Sequence, residues 1–303
     1  MSRPGIVGLG RAAIEILGVL PRIPDDGREI ELSEISVQVG GTAAVATATA
    51  AALGCRARFL CPVADDFFGA FVRCALEEAG VEVLGQPVSD ARLTATRVAL
   101  TAREPRRRLS CSSPGDAGEL LPEDFDPRDL IAAADAVIID GTCPRAQAAV
   151  AEQAKSRDIP VIFDASDLRE GTGALVALAD VLICSERLAA ELSPRDALPE
   201  ALQEIRDLGP RAVVITMGRA GSIGLSGDKL VEQPAFAVDT VDAANAGAVY
   251  HGGFAAALLS GLPLSGCMEL AAAAAALSCR SLGAFAGIPS RDEVVATIRG
   301  AVP

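Results

Sequence analysis

Three glycine-containing turns are the segments of this sequence where the backbone could approach a ligand most closely. Gly40-Gly41 precedes an alanine-rich run, residues 216–221 read TMGRAG, and Asn245-Ala246-Gly247 precedes a long apolar run. Glycine lets the backbone approach a ligand closely, and the free N–H groups and dipole of a helix N-terminus favour negative charge. Such turns suit the binding of phosphate groups. A Gly-x-x-Gly spacing alone is weak evidence, because a hairpin turn explains it equally well.

The composition excludes several other classes of function. The chain has 303 residues, 27 basic against 40 acidic side chains and a net charge of −13. A negative field of this kind repels nucleic-acid backbones and anionic lipid, so neither is expected as a partner. The length suits one large domain with at most a small appendage. The eight cysteines form no CxxC pair, and we predict that they are small buried side chains in a reducing compartment.

The sequence gives no sign of membrane insertion or export. Its start lacks a charged n-region, a long apolar run and a small-residue cleavage site, which predicts a cytoplasmic protein. The longest uncharged window, 243–268, contains Asn245, His251 and Pro263. These residues favour a loop, a helix and a turn over a lipid-facing span.

Alternating strand and helix patterns predict a parallel sheet with helices on both faces. Residues 4–19 are predicted as a strand that ends in a loop, and 42–53 as a helix. The other predicted strands are 57–63, 136–139, 161–164, 181–184 and 212–216, and the other predicted helices are 69–79, 145–156, 187–192, 199–208, 248–260 and 264–282.

Two stretches depart from this alternation. Residues 29–39 alternate between apolar and polar side chains, and residues 94–113 resemble a hairpin whose turn is Arg-Glu-Pro-Arg. Both patterns are typical of a sheet with one solvated face. We predict a small β-sheet appended to a single domain that spans residues 1–303, since no repeat or linker divides the chain.

Six segments in chain order resemble the PfkB family of carbohydrate kinases, which have a ribokinase-like fold. The resemblance implies an α/β core with a mostly parallel central sheet flanked by helices, and transfer of the γ-phosphoryl of ATP to a sugar hydroxyl with Mg²⁺. It also implies a β-sheet lid at about 29–39 and 94–113, which often forms a homodimer contact, and it allows a monovalent cation. Within the family, the sequence is most similar to the sulfofructose kinase branch. The segments are 39–54, 62–69, 163–169, 213–227, 241–261 and 275–294.

The main departure from the family lies in its catalytic turn. The family has Gly-Ala-Gly-Asp where this sequence has Asn245, Ala246, Gly247 and Ala248. By resemblance the turn forms the anion hole, and its Asp takes the proton from the sugar hydroxyl. Alanine accepts no proton, and loss of a general base costs about 10²- to 10⁴-fold in rate. The sequence therefore predicts weak or lost phosphoryl transfer.

Two neighbours of this turn are the nearest replacements for the missing base. Asp242 precedes the turn, and His251, the only histidine of the chain, follows it. We expect Asp242 to be structural. A lone histidine is more often a satisfied helix residue than a catalyst.

The nucleotide side is closer to the family pattern. By resemblance, Thr216, Gly218 and Gly221 contact the nucleotide phosphates, and Ser185 stands where the family has the Asn of an Asn-x-x-Glu motif. The final Glu of that motif is replaced by Leu188. Glu186 is left as a weak Mg²⁺ contact through water, because Mg²⁺ usually keeps several waters.

The resemblance also places a sugar site. Glu15 stands five residues after Gly10, where the family has an Asp that accepts bonds from two hydroxyls, and Gly40 and Gly41 let the backbone approach the sugar. An Asn common in the following helix is replaced here by Val45. Two further features, Arg28 and the run 106–108, could meet an anionic sugar. An ordinary charged hairpin edge is the favoured explanation for them.

Three hypotheses stay open on these observations: a sugar kinase with reduced chemistry, a catalytically silent relative that binds nucleotide or sugar as a sensor or interaction protein, and a structural protein with an empty pocket. A fourth hypothesis, an NAD enzyme, rests on Gly8-x-Gly10-x-x-Ala13. That motif needs a helix opening at Gly10, whereas Ile14, Ile16 and the nearby prolines favour an extended segment.

Overall fold

The computed structural model describes residues 3–105 and 107–300, so Arg106 of the predicted basic run lies outside the described residues. In chain order the strands are β1 (Gly5–Leu9), β2 (Ala13–Leu20), β3 (Glu34–Gly40), β4 (Arg56–Leu60), β5 (Val81–Leu84), β6 (Thr96–Ala102), β7 (Arg107–Ser113), β8 (Ala136–Ile139), β9 (Val161–Ala165), β10 (Val181–Ser185), β11 (Ala212–Thr216), β12 (Ser222–Ser226) and β13 (Lys229–Gln233).

The helices follow the same alternation. In chain order they are α1 (Thr42–Ala52), α2 (Phe67–Glu78), α3 (Pro127–Leu130), α4 (Pro144–Lys155), α5 (Thr172–Leu178), α6 (Glu186–Leu192), α7 (Leu198–Asp207), α8 (Ala246–Leu259), α9 (Leu264–Ser278) and α10 (Arg291–Ile298). Two short 3₁₀ turns occupy Pro122–Asp124 and Gly218–Ala220.

A large sheet forms the centre of the molecule, with strand order β13-β12-β11-β10-β9-β8-β1-β4-β5. Its neighbours pair in parallel from β11 to β5, and β12 and β13 are antiparallel. Successive residues of β1 alternate between two cores: Ile6 belongs to the core with α1, α8 and α9, and Val7 to the core with α4, α5 and α7. This arrangement confirms the predicted mostly parallel sheet with helices on both faces.

A separate four-stranded sheet has the order β3-β2-β6-β7, with β2 and β6 parallel. The predicted single strand in residues 4–19 was therefore wrong, because β1 and β2 belong to different sheets. The chain leaves the large sheet at Arg11, whose backbone N–H donates to Thr142 Oγ1 at 2.9 Å. The second half of the predicted 29–39 strand is present as β3, and β6 and β7 form the predicted hairpin.

The two faces of the small sheet differ in polarity. Cross-strand pairing places Gln38, Glu15, Arg97 and Ser112 in one row on the face toward the protein. The adjacent row, on the outward face, is Val37, Ile16, Val98 and Cys111. Because side chains alternate along a strand, these two rows face opposite sides of the sheet. Further along the inward face, Leu17, Val19 and Ala99 pack in an apolar cluster.

Two expectations about the surface can be compared with the structure. Among the described residues, no helix combines the length and the apolar character needed to cross a membrane. The cysteines are all free, but Cys74 and Cys111 are exposed. The prediction that the cysteines are buried was therefore wrong for these two, which lie on α2 and on the edge strand β7, and Cys279 is only half-buried.

Candidate functional site

The carboxyl edge of the large sheet gathers most of the polar residues that the sequence singled out. Strands β8, β9, β10 and β11 end beside one another with Asp140, Asp164, Ser185 and Thr216 at or next to their last residues. Helices α1 and α8 begin at the same edge. Ligands of open α/β sheets bind outside the carboxyl ends of the strands, so this edge is the candidate site.

A pocket of about 290 Å³ lies between this edge and the small sheet. Its lining includes Glu15, Gly41 and Asn245. Gly40 lies beside the pocket, and a Cβ at this position would stand 2.4 Å from Glu15 Cγ. The structure therefore brings together the four residues through which the resemblance linked the sugar site to the catalytic turn.

Glu15 is held by side chains from two other elements. It is 3% exposed. Arg97 Nη1 donates to Glu15 Oε1 at 2.8 Å, and Asn245 Nδ2 lies 2.9 Å from Oε1 and 3.0 Å from Oε2. Arg97 also contacts Asn245 Oδ1 at 3.4 Å. These three residues form a closed cluster, which we call the Glu15 cluster.

The backbone of Asn245 places its side chain in this cluster. Asn245 precedes α8 with a φ of 61°, a left-handed conformation that asparagine tolerates better than most residues. A glycine at this position would leave Glu15 without the amide. Sequence reasoning missed Arg97, because its partner is Glu15 across the β2–β6 pairing. Two residues 82 positions apart give no local signal of such a contact.

The residues before and after Asn245 are also engaged within the protein. Asp242 Oδ1 accepts from Arg108 Nη1 at 2.8 Å and from the Ala244 N–H at 3.0 Å. The expected structural role of Asp242 agrees with these contacts. Arg108, from the basic run of the small sheet, forms an ion pair with the protein itself. Ala248 is 3% exposed and packs in the core with α1 and α9.

His251 lies one turn into α8 and is buried. Its Nδ1 lies 2.6 Å from the Gly247 carbonyl oxygen, and its Nε2 lies 3.1 Å from the Ile183 carbonyl oxygen. A carbonyl only accepts, so each contact requires an N–H, and a neutral imidazole has one N–H. These two contacts favour the doubly protonated, charged imidazole. His251 is a satisfied helix residue, as the sequence predicted.

Asp164 provides the opposite charge. Its Oδ2 stands 3.0 Å from His251 Nδ1, although the N–H is aligned with the Gly247 carbonyl and not with the carboxylate. Burial opposes the charge of the imidazole, but Asp164 and the two carbonyls outweigh burial and raise the pKa of His251. The pair joins the first turn of α8 to β9 and β10.

The turn after β11 has the features of a hairpin connection. It joins the antiparallel strands β11 and β12, and the Thr216 hydroxyl donates to the Cys184 carbonyl at 3.2 Å. Gly221 has a φ of 96°, and a Cβ there would lie 2.1 Å from the Gln233 carbonyl oxygen. Gly218 faces open space. Thr216 and Gly221 therefore have structural roles, while Gly218 leaves room for a ligand.

Ser185 and Glu186 lie at the start of α6. Ser185 Oγ accepts from the Leu188 N–H at 3.3 Å and so caps the helix. Glu186 is exposed. No three His, Cys, Asp or Glu side chains come close enough to hold a metal ion anywhere in residues 3–105 and 107–300. A Mg²⁺ contact at Glu186 would therefore need water and ligand oxygens to complete the coordination.

Asp140 is a buried carboxylate at this edge that sequence reasoning did not single out. Its Oδ1 accepts from Thr142 and from Gln147 Nε2, and its Oδ2 accepts from the Ala43 N–H at 3.3 Å. The carboxylate therefore fastens the start of α1 to the loop after β8. Its position directly after the buried run AVII was the available signal.

Comparisons with known proteins agree with the geometry. A family model described as pfkB family carbohydrate kinase matches residues 4–291. Ribokinase from Bacillus subtilis is 27% identical over 94% of this chain and 96% of its own length. A protein from Agrobacterium tumefaciens proposed to be a ribokinase aligns with a TM-score of 0.90 at 25% identity, covering 99% of this chain and 98% of its own. Arabidopsis thaliana ribokinase, solved with ribose and ATP, has the same fold, with a TM-score of 0.82 at 23% identity and coverage of 98% and 99%.

Proposed function

Because the chain belongs to the pfkB family of carbohydrate kinases, we propose that it binds a sugar under the small sheet and ATP along the carboxyl edge, with phosphoryl transfer that is weak or lost. The observation that carries the proposal is the composition of the 290 Å³ pocket, which touches the Asn245 turn and has Glu15 as its one carboxylate among the described residues. Phosphoryl transfer needs a proton acceptor for the sugar hydroxyl where the pocket meets the Asn245 turn. Ala248 does not supply one.

Glu15 is a poor replacement for the missing base. Its two oxygens already accept from Asn245, and one of them also accepts from Arg97. These contacts suit a group that orients a sugar. Glu15, Gly40 and Gly41 are the residues we assign to the sugar, by resemblance to the family, and the sulfofructose kinase branch stays a proposal for the more specific relationship.

The nucleotide half has residues that can receive phosphates. Gly218 has open space in front of it, and the hydroxyl of Ser185 keeps its proton available for a ligand while its oxygen caps α6. Thr216 and Gly221 shape the same turn. When bound, Mg²⁺ neutralises charge on the phosphate oxygens. Glu186 is the carboxylate we assign to water-mediated contact with the ion, and a monovalent cation stays an expectation from resemblance.

A pseudokinase is the second candidate, and one observation favours it. The Asn245 side chain connects the turn to Glu15, in the space between the two halves of the site. Phosphoryl transfer needs the sugar hydroxyl in line with the phosphate. A side chain that occupies this boundary favours binding over turnover.

We also propose a homodimer through the outward face of the small sheet. Ile35, Val37, Val98 and Leu109 are 59, 45, 37 and 45% exposed on or beside that face. An apolar surface of one sheet can pair with a second copy about a twofold axis, which buries the same residues on both chains. Val37→Glu should give a monomer in light scattering, whereas Leu208→Glu, at an exposed position after α7, should leave the mass unchanged. A monomeric parent protein would contradict the proposal.

The experiment that tests the function is a calorimetric titration with ATP, with and without Mg²⁺, followed by a phosphoryl-transfer assay on a sugar panel. We expect micromolar to millimolar ATP binding and slow transfer or none. Multiple turnover at an ordinary kinase rate would contradict the loss of activity. Absence of both ATP and sugar binding would contradict the proposed function as a whole.

A further inference from the structure

The charges in the sugar pocket do not match those of the rest of the chain. The protein has a net charge of −13, yet the residues that line the pocket include two arginines, Arg11 and Arg97, and a single acidic residue, Glu15. Arg97 is paired with Glu15. No ion pair of Arg11 is found in the described part of the chain. The pocket therefore has one positive charge in excess.

The capacity of Glu15 to bind sugar hydroxyls is reduced at the same time. An ionised carboxylate offers about four acceptor positions. Two bonds from Asn245 and one from Arg97 use three of them. One position, on Oε2, is left for a hydroxyl, so the carboxylate can hold one hydroxyl of a polyol where a free carboxylate could hold two.

The remaining wall provides donors. Thr42, Ser112 and Ser113 also line the pocket with hydroxyl-bearing side chains, whereas the hydroxyl of Thr96 donates to the Thr94 carbonyl at 2.9 Å. Asp140, the nearest buried carboxylate along the edge, has its oxygens engaged by Thr142, Gln147 and the Ala43 N–H. Arg11 and these hydroxyls therefore face no competing carboxylate other than Glu15 in the pocket. Guanidinium groups bind carboxylate and phosphate through paired N–H donors.

We propose that the sugar pocket takes an acidic sugar, with its anionic group on Arg11 and on the free donors of Arg97, and with one hydroxyl on Glu15. This inference rests on the proposed function, since it names the class of sugar for the same pocket. A carboxylate and a phosphate share this chemistry, so the experiment includes both.

The test is a calorimetric titration without nucleotide, using matched neutral and acidic sugars: glucose against gluconate, and fructose against fructose 6-phosphate. We expect one acidic member to bind at least tenfold more tightly than its neutral partner, with an affinity that falls as salt rises. Equal or tighter binding of the neutral partners would overturn the inference while leaving the proposed function intact. No binding of any sugar would count against the proposed function itself.

Variants of Arg11 test whether this side chain binds the anionic group of the sugar. Arg11→Gln should lower the affinity for the acidic sugar at least tenfold more than the affinity for the neutral partner. Arg11→Lys keeps the charge and should recover part of the loss. Arg157→Gln, at an exposed position on the opposite edge of the sheet, serves as the control. Equal losses for both sugars in Arg11→Gln would overturn the inference.

Two further arms separate a sugar site from other anion binding. Inorganic phosphate is titrated alone, and ADP is added to the complex with the acidic sugar. We expect phosphate to bind more weakly than the acidic sugar, and ADP to bind without displacing the sugar. Phosphate binding as tight as that of the acidic sugar would overturn the inference. Displacement by ADP would do the same, because the arginines would then bind the nucleotide.

Discussion

The two turns that border the carboxyl edge differ in what their polar groups bind. In the turn 216–221, the bonds run within the hairpin, from the Met217 N–H to the Gly221 carbonyl and from the Gly221 N–H to the Gly218 carbonyl. In the turn 242–248, two side chains reach the small sheet, where Asp242 meets Arg108 and Asn245 meets Glu15. The contacts of the first turn lie within the large sheet, where the Thr216 hydroxyl also donates to the Cys184 carbonyl. The second is part of a network, so substitutions there act on both sheets.

The largest effect is expected from restoring the base in the second turn. Ala248→Asp should raise phosphoryl transfer by about 10²- to 10⁴-fold, the contribution typical of a positioned general base. The site is at the start of a 14-residue helix, where the helix dipole favours a carboxylate. Because Ala248 is 3% exposed and packs in the core, a denaturant unfolding curve first establishes that the variant folds. Formation of sugar phosphate from labelled ATP measures the change.

The control places the same carboxylate two residues earlier. Ala246→Asp adds equal charge to the first turn of α8 but at a position that does not match the family's base. It should give no gain in rate, because a carboxylate at this position of the anion hole repels the phosphate and is not placed to take the proton. Equal gains in both variants would show that added charge, and not the position of the base, is responsible.

The double variant Asn245→Gly, Ala248→Asp should transfer phosphoryl groups faster than Ala248→Asp, because it also removes the side chain between the sugar pocket and the nucleotide edge.

The second effect concerns the buried pair of His251 and Asp164, which joins the first turns of α8 to the large sheet. Asp164→Asn leaves the imidazolium of His251 buried without its counter-charge, and breaking a buried pair in this way costs about 3 to 5 kcal/mol of unfolding free energy. Denaturant unfolding at pH 6 measures the loss. Asp167→Asn removes an exposed carboxylate paired with Arg169 and Arg187 and should cost about 1 kcal/mol or less. Equal losses would contradict the role of the buried pair.

The sign of the pH dependence follows from the raised pKa of His251. The stabilisation is fully present below about pH 6.5, the ordinary pKa of histidine, and is lost as the pH rises through the higher pKa of the folded state. Because His251 is the only histidine, the ring nitrogen signals of a protein without a histidine tag report it directly. Both nitrogens should remain protonated above pH 6.5. A ring that loses its proton below that pH would contradict the assignment.

Much of this architecture could be predicted from the sequence, but contacts between segments distant in the chain could not. The strand-helix alternation and the short apolar runs predicted the large sheet, and the hairpin of 94–113 is present as β6 and β7. The split of residues 4–19 between two sheets could not be predicted, because the pattern remains apolar across Arg11. The contact of Arg97 with Glu15 depends on a parallel pairing of strands distant in sequence.

The third effect tests the turn 216–221. Gly221→Ala places a Cβ 2.1 Å from a backbone oxygen at a φ of 96°. Overpacking and a left-handed alanine together should cost about 2 to 5 kcal/mol. Gly227→Ala has a φ of 55° and nothing within 4 Å, so it should carry only the conformational cost of about 1 to 2 kcal/mol. Denaturant midpoints compare the two, and equal costs would contradict the close contact with Gln233.

The smallest effect separates two roles of one hydroxyl at the edge beside this turn. Ser185→Ala removes the cap of α6 and should cost about 1 kcal/mol of stability. Ser290→Ala removes the cap of α10, where Ser290 Oγ accepts from the Glu293 N–H at 3.3 Å, and should cost about as much. If the Ser185 hydroxyl also donates to a nucleotide phosphate, a bond to a charged group worth about 1.5 kcal/mol is lost, and ATP affinity should fall about tenfold in Ser185→Ala alone. Unchanged ATP affinity would restrict Ser185 to capping and would leave Gly218, with its open space, as the phosphate contact of the first turn.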